Sequence, residues 1–259
     1  MYLKIMTANI RFENPNDGRF NWPHRKNVLK KSIDLFSPDI LGTQEGRMPQ
    51  LHDLRTLITN FDLADIHREW IAERMYPCLF YNPQRLLLRE SGDIWLSQTP
   101  DIAGSLSFDS AFPRLCTWAT FDIMKAPARD KTIMIINTHL DHILPATRLS
   151  QIQVLIEEIK KINALQLPII LMGDFNEAPE GPVYKTILNQ LPEIRDPWKE
   201  LKLKEEGSHH NFDGNNTDNS RIDWILASKQ LTPKELYLDK YHESTFPSDH
   251  FPLKGVFKL

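Results

Sequence analysis

Residues 168–181 read PIILMGDFNEAPEG. Four apolar residues, Ile169 to Met172, run into Gly173, and then an aspartate and an asparagine stand two apart. A short apolar run between Pro168 and a glycine reads as a buried strand. If the extended conformation persists past Gly173, the period of two sends the side chains of Asp174 and Asn176 to one face. The competing reading is a plain turn, with Asn176 capping a helix opened by Pro179. The rest of the chain decides between them.

Outward from this strand the chain reads as α/β. Residues 2–9 form a strand ending at Asn9. Pro23 then starts a helix along which Val28, Leu29, Ile33 and Phe36 recur at helical spacing. DILGTQE is a short buried strand ending at Glu45, and MPQLHDLRTLITN is amphipathic through Leu51, Leu54 and Ile58. From about residue 78 to 138 short strand-like runs alternate with turns, which predicts one block of mainly antiparallel sheet. A helix follows with Pro145 early and Leu149, Ile152, Ile156 and Ile159 on one face. After the 168–172 strand come a short helix near 182–189, the strand IDWILAS, and SDHFPLKGVFKL as a loop and last strand. No linker and no internal repeat stands out, so residues 1–259 read as one domain with more than one layer. A polar stretch, residues 205–220 with His209, His210, Asn211, Phe212 and Asp213, is too long for a plain connection; such loops are functional or mobile, and its place just before Asp223 predicts that it reaches over a site and sets specificity.

Bulk properties narrow the function classes. The net charge is −3, which lacks the basic excess of a general nucleic-acid coat. Cys78 and Cys116 have no CxxC spacing and suggest no disulfide framework. The start, MYLKIMTANI, is not a secretory signal, and no run approaches 18 apolar residues, so a cytoplasmic protein without a membrane span is expected.

Polar residues collect at predicted strand ends: Asn9, Glu45, His139, Asp174 with Asn176, Asp223, and Asp249 with His250. Each has a structural explanation alone, as turn residue, solvated carboxylate or satisfied histidine. Together they are an inventory for chemistry held by loops on a rigid scaffold. Carboxylates such as Glu45 suit Mg²⁺, which takes few protein ligands and keeps waters for phosphates. Asp174 can orient or deprotonate a water, Asn176 can donate to a phosphoryl oxygen, and a histidine paired with an aspartate is favoured as imidazolium. These parts describe metal-assisted phosphoester hydrolysis.

The words TANIR, PDILGTQE, INTHLDH, LMGDFNEAP, RIDWILAS and SDHFPL, in this order, make the chain resemble the endonuclease/exonuclease/phosphatase superfamily from Asn9 to His250. The resemblance implies a DNase I-like four-layer α/β sandwich: two face-to-face, mainly antiparallel β-sheets flanked by helices, with the site at one edge of the sheets. It implies Mg²⁺, with Mn²⁺ as a substitute, held by Glu45 with Asn9 beside it and Asp249 nearby. It implies that Asp174 positions or activates water, that Asn176 holds the phosphate and that Asp223 pairs with an imidazolium at His250. His139 would contact the phosphate or protonate the leaving oxygen.

The sequence departs from this pattern in places. Arg11 stands where repair-type members often carry an aspartate, which weakens a second metal site and makes Arg11 a candidate for substrate charge. His142 of HLDH, with Asp141, reads either as a turn or as a substrate contact. Arg114, before a strand, can grip a phosphate bidentately or be solvated. The expected partner is a phosphate-ester substrate, with a small organophosphate preferred to DNA or RNA. The alternatives are a nuclease using the same site, a zinc hydrolase built on His139, His142, His209, His210 and His250, and a non-catalytic binding module.

Overall fold

Strand β1 (Tyr2–Asn9) displays the rule that organises the molecule: Leu3 and Ile5 join one apolar cluster, whereas Met6 and Ala8 join another on the opposite face. The computed structural model describes residues 1–124, 132–215 and 220–259. A 3₁₀ turn (Pro15–Phe20) leads to helix α1 (Trp22–Phe36), where Asn21 caps Trp22 and Ser37 ends the helix in a left-handed conformation. Then come β2 (Ile40–Arg47), α2 (Met48–Leu57), β3 (Asp62–Leu63), β4 (Met75–Tyr81), β5 (Leu86–Trp95), β6 (Leu115–Ile123) and β7 (Thr132–His139). The chain continues through α3 (Pro145–Ile162), β8 (Ile169–Asp174), α4 (Pro182–Gln190), β9 (Ile194–Arg195) and α5 (Pro197–Glu200). It closes with β10 (Asp223–Ser228), β11 (Thr232–Leu238) and β12 (Leu253–Lys258).

Among the described residues two six-stranded sheets result, in the orders β11-β12-β1-β2-β4-β3 and β5-β6-β7-β8-β10-β9. Alternating side chains on both sheets fill three apolar layers. Leu3, Ile5, Phe121, Ile135, Ile170 and Ile225 meet between the sheets. Met134, Leu171 and Trp224 face outward under α3 and α4, and Met6, Leu41 and Phe80 face outward under α1 and α2. The result is a four-layer helix–sheet–sheet–helix sandwich with mainly antiparallel sheets.

Among the described residues, only β1–β2 and β7–β8 pair in parallel, one pair at the centre of each sheet. Each is bridged by one helix, α1 or α3, as a parallel connection requires. The two sheets therefore share one plan that the sequence does not display as a repeat. Their carboxyl-terminal strand ends lie together, and Asn137 stitches them by donating from Nδ2 to the carbonyls of Thr43 (2.9 Å) and Cys78 (2.8 Å). Its Oδ1 accepts from Gln44 Nε2 at 2.6 Å.

Several expectations need correction. The predicted block at 78–138 is divided, because β4 pairs with β2 in one sheet while β5, β6 and β7 build the other. Strand β2 does not end at Glu45 but continues to Arg47 through an irregularity between Thr43 and Gly46. Strand β11 was not foreseen; it is an edge strand with Pro233 and alternating exposure, a weak apolar signal. Cys78 and Cys116 are buried free thiols. Among the described residues, no helix is long and apolar enough to cross a membrane.

Candidate active site

Strand parity aims the site residues. In β8, Ile170 and Met172 face the layer between the sheets, and Asp174 is the next residue on that face. The same count places His139 after Ile133 and Ile135 in β7, Asp223 before Ile225 in β10, and Asn9 after Leu3 and Ile5 in β1. Where the apolar filling stops, these polar groups continue the same inner face. Asn9 Nδ2 consequently crosses from one sheet to the other and donates to Asp174 Oδ2 at 3.0 Å.

Parity fails for Asn176, and the extended reading is corrected there. Its φ is +50°, and Asp174 Oδ1 accepts its backbone N–H at 2.9 Å, an Asx turn that brings the two side chains together. Nor does it cap a helix opened by Pro179, since α4 begins at Pro182. Asn176 Nδ2 instead donates to the carbonyl of Leu140 at 3.0 Å, which leaves its second hydrogen for another acceptor. Gly173 makes the approach possible: at its φ of +137°, a Cβ would lie 2.0 Å from the Thr138 carbonyl oxygen. Glu45 also has a left-handed backbone, φ +68°, at the irregularity in β2. Its Oε1 accepts from Asn9 Nδ2 at 3.1 Å and its Oε2 from the Phe12 N–H at 3.2 Å.

A cavity of about 250 Å³ opens at this end of the sandwich. All the sequence-derived site residues line it except Asn9 and Asp223, which stand directly behind. His250 Nδ1 lies 2.8 Å from Asp223 Oδ2, and His139 Nε2 lies 3.5 Å from Asp174 Oδ2. Asp249 Oδ1 accepts from Ser248 Oγ at 3.0 Å, and its other oxygen is 3.9 Å from Arg11 Nε. Arg11 is less free than expected, since Asp17 takes both its Nε and Nη2 hydrogens at 3.0 and 3.2 Å. A larger hollow of about 410 Å³ beside the C-terminal ends of α3 and α4 holds no histidine and no cluster of carboxylates.

Electrostatics separates the protonation states. Burial, reinforced by the charge of Asp223, pushes the Asp174 carboxyl up to about 7. Burial opposes charge on His250, but Asp223, through its charge and hydrogen bond, and then Asp174 and Asp249, hold the imidazole well above its usual value. His139 moves the other way, well below its usual value, because of burial and then the adjacent Arg114. Its Nδ1 accepts from Arg114 Nη1 at 2.9 Å. With Nδ1 accepting from Arg114, a neutral His139 carries its hydrogen on Nε2 and can donate from there.

Asp141 and His142 divide the work that the sequence left open. Asp141 is buried and structural: Oδ1 accepts the N–H groups of Ile143 and Leu144, both at 2.8 Å, and Oδ2 accepts that of Ala111 at 3.0 Å. His142 stays exposed at the cavity, with Nδ1 3.1 Å from Arg114 Nη2. Of the polar stretch at 205–220, Asn216–Asn219 lie outside the described residues. Ser208 and His209 form a short bridge to 250–251, delivering His209 to the cavity with its ring centroid 4.9 Å from that of His250. His210 is instead stacked on Phe251, and Phe212 on Phe20, so neither covers the site.

Phe12, Met75, Phe112 and Ile222 also line the cavity and were not foreseen. They carry no motif, and only tertiary structure brings them here. His209 had a signal, a histidine pair in a long polar loop shortly before Asp223.

The donor set suits a hard divalent cation. Glu45 and Asp174 converge on a single amide hydrogen-bond donor, and the buried Asp223 Oδ1 has no hydrogen-bond partner among the described residues. Ligand atoms of Asp174, Asp223 and His250 lie within 4.8 Å of one another, as do those of His209, Asp249 and His250.

The sequence profile of the Endonuclease/Exonuclease/phosphatase family matches residues 6–250. The chain belongs to this family. Among solved structures, it is 28% identical to an endonuclease/exonuclease/phosphatase family protein of Bacteroides thetaiotaomicron (TM-score 0.87, 99% of this chain and 97% of that one). It is likewise 28% identical to a mannosyl-6-phosphatase of the same organism (TM-score 0.88, 99% of this chain and 100% of that one). The catalytic domain of human Nocturnin shares the fold at 22% identity (TM-score 0.76, 99% of this chain and 93% of that one). Comparison with curated proteins returns no match. Family membership makes the chain a member of a group of phosphate-ester hydrolases.

Proposed function

We propose that this family member is a Mg²⁺-dependent phosphoesterase that hydrolyses a small organophosphate by direct in-line attack of water. One observation carries the reading: Asp174, with its carboxyl near 7, and His250, held as an imidazolium by Asp223, face the same cavity. A pair of titratable groups pushed toward complementary protonation states at neutral pH is the arrangement acid–base chemistry requires. Asp174 accepts the proton of the attacking water. As the water oxygen bonds to phosphorus, the P–O bond to the alcohol breaks and the departing oxygen takes its proton from solvent, while His250 balances the negative charge that develops on the phosphoryl oxygens. The free amide hydrogen of Asn176 and the Nε2–H of neutral His139 hold those oxygens in line. Glu45 and Asn9, with Asp249 nearby, are the residues that would hold Mg²⁺, which when bound offsets phosphoryl charge.

The cavity volume of about 250 Å³ lies below the range for drug-sized ligands, which favours a phosphate on a single small group over a polynucleotide. The 28% identity to a mannosyl-6-phosphatase supports a sugar phosphate in particular. His209, Asp249 and His250 also resemble a zinc-type donor set. Against that second reading, the charge of Asp223 favours a protonated His250, and an imidazolium is no ligand.

The test is a turnover screen with added Mg²⁺ over hexose phosphates, nucleotides, phosphodiesters and oligonucleotides, with Asp174→Asn as control and metal analysis of the purified protein. Hydrolysis of a small phosphate ester that Asp174→Asn abolishes is the expected result. Activity confined to oligonucleotides favours a nuclease, and stoichiometric zinc favours the second metal reading.

A further inference from the structure

We infer that Phe112 and His142 form the subsite for the alcohol part of the substrate, and that this subsite takes a polyhydroxylated six-membered ring. The inference rests on the phosphoesterase reading and adds what determines specificity.

Three features of the cavity wall lead to it. The first is the fixed tautomer of His142. A guanidinium can only donate, so the contact from Arg114 Nη2 makes Nδ1 the acceptor and leaves the hydrogen on Nε2. Burial and the Arg114 charge also lower the affinity of this imidazole for a second proton. His142 therefore presents a neutral N–H donor at the cavity, and its ligand must supply an acceptor.

The second feature is an open aromatic face. Phe112 lies nearly parallel to His142, with ring centroids 6.0 Å apart and an interplanar angle of 17°, and is 46% exposed. A large apolar ring left partly in solvent in the cavity wall has surface to gain from a ligand. Phe12, the other phenylalanine of the cavity, already has the guanidinium groups of Arg11 and Arg47 over its ring, 4.5 and 4.8 Å from the centroid. Phe112 is thus the available platform.

The third feature is rigidity. One buried carboxylate, Asp141, accepts from Ala111 on one side and from Ile143 and Leu144 on the other. It fastens together the two segments that carry Phe112 and His142, so the wall is set before a ligand arrives, which lowers the cost of binding.

A ligand that fits must offer C–H surface to a flat ring and an oxygen acceptor to an adjacent N–H. A sugar ring does both, because its C–H bonds and hydroxyls share one small frame. An alkyl chain supplies only the first. The cavity leaves room for a phosphate and one such ring.

The test separates this subsite from the chemistry. In an Asp174→Asn background, calorimetric titration with mannose 6-phosphate and with n-hexyl phosphate compares ring and chain without turnover. We expect mannose 6-phosphate to bind about tenfold more tightly than n-hexyl phosphate, and either Phe112→Ala or His142→Ala to remove that preference. Thermal unfolding of both variants is expected to match the parent, since both side chains are exposed. Equal binding of the two phosphates, binding of neither, or a preference that survives both substitutions overturns the subsite. The turnover screen on the unsubstituted enzyme is independent: no hydrolysis of any phosphate ester overturns the phosphoesterase reading, and ring-selective binding would still stand.

Discussion

Asp223 Oδ2 lies 2.8 Å from Nδ1 of His250, and both side chains are buried. The carboxylate comes from β10 and the imidazole from the loop before β12, so the pair ties the edge of one sheet's site to the other sheet. Its charge is the main favourable influence that keeps His250 protonated.

Removing that influence is expected to show as a pH effect. With Asp223→Asn, the His250 pKa falls, and the imidazolium is lost as pH rises through its new, lower value. The alkaline limb of kcat/KM should move to lower pH, with a larger rate loss at pH 8.5 than at pH 6. An alkaline limb in the same place as that of the unsubstituted enzyme would show that His250 charge does not govern the rate.

Truncation separates the contributions of Asn176 and His250. Asn176→Ala and His250→Ala are each expected to lower kcat by about 10²–10³, as loss of one donor to transition-state charge does. The half-buried Asn176 should cost little stability. Removing buried His250 strands the Asp223 carboxylate and is expected to cost about 3–5 kcal/mol, the range for breaking a buried pair. Thermal melts alongside kcat measurements check both.

Metal removal should act on Asp174. EDTA is expected to abolish turnover and Mg²⁺ to restore it. In the metal-free protein the Asp174 carboxyl titrates near 7, and a cation in the site should move that midpoint down, as a carbon-detected NMR titration would record. Because the folded-state value exceeds that of an unfolded aspartate, about 3.9, the native state binds more protons between those values. Metal-free stability should therefore fall as pH rises through this window, and less so with Mg²⁺ present.

Away from the site, Arg68 grips Asp93 bidentately, Nε to Oδ2 at 2.7 Å and Nη2 to Oδ1 at 2.6 Å. Burial alone would raise this carboxyl, but the Arg68 hydrogen bond and charge hold it down, to about 2. A depressed pKa contributes stability that is present above about 3.9 and lost as pH falls toward 2. Melts from pH 5 to pH 2 should show this loss, and Asp93→Asn should lack that component of it.

Arg25 is fully buried and donates to the carbonyls of Ile10, Arg11, Phe20 and Pro247. Those of Ile10, Arg11 and Pro247 belong to the segments carrying Asn9 and Arg11 and the approach to Asp249 and His250, and that of Phe20 closes the turn before α1. A lysine cannot span them with one ammonium group. Arg25→Lys is expected to lower Tm and to reduce kcat about tenfold or more, whereas Arg25→Met leaves buried carbonyls undonated, at about 1–3 kcal/mol each. Unchanged kcat in Arg25→Lys would free the site loops from this clamp.

Much of this is legible in the sequence. The apolar runs of β1, β7, β8 and β10 carry their own parity, and counting along them puts Asn9, His139, Asp174 and Asp223 on the inner face. What escaped depended on backbone that leaves the regular regions or on contacts between distant segments. Asn176 and Glu45 are marked as site residues by their motifs, but the left-handed conformations that bring them to the cavity are not anticipated by a period of two. Phe112 and Met75 are ordinary apolar residues whose exposure to a cavity is decided by folds elsewhere in the chain. The division of residues 78–138 between sheets was hidden for a related reason, since strand pairing is set by partners far away in sequence.

The inner-face count also fixes the length of each strand that ends at the cavity. Deleting one residue from the middle of β8, say Leu171, would leave every reactive side chain in the chain yet rotate Asp174 toward the helices and present a neighbour to the substrate. Spacing therefore matters here as much as chemical identity: a length change is expected to be tolerated in the loops and not in the strands that end at the cavity.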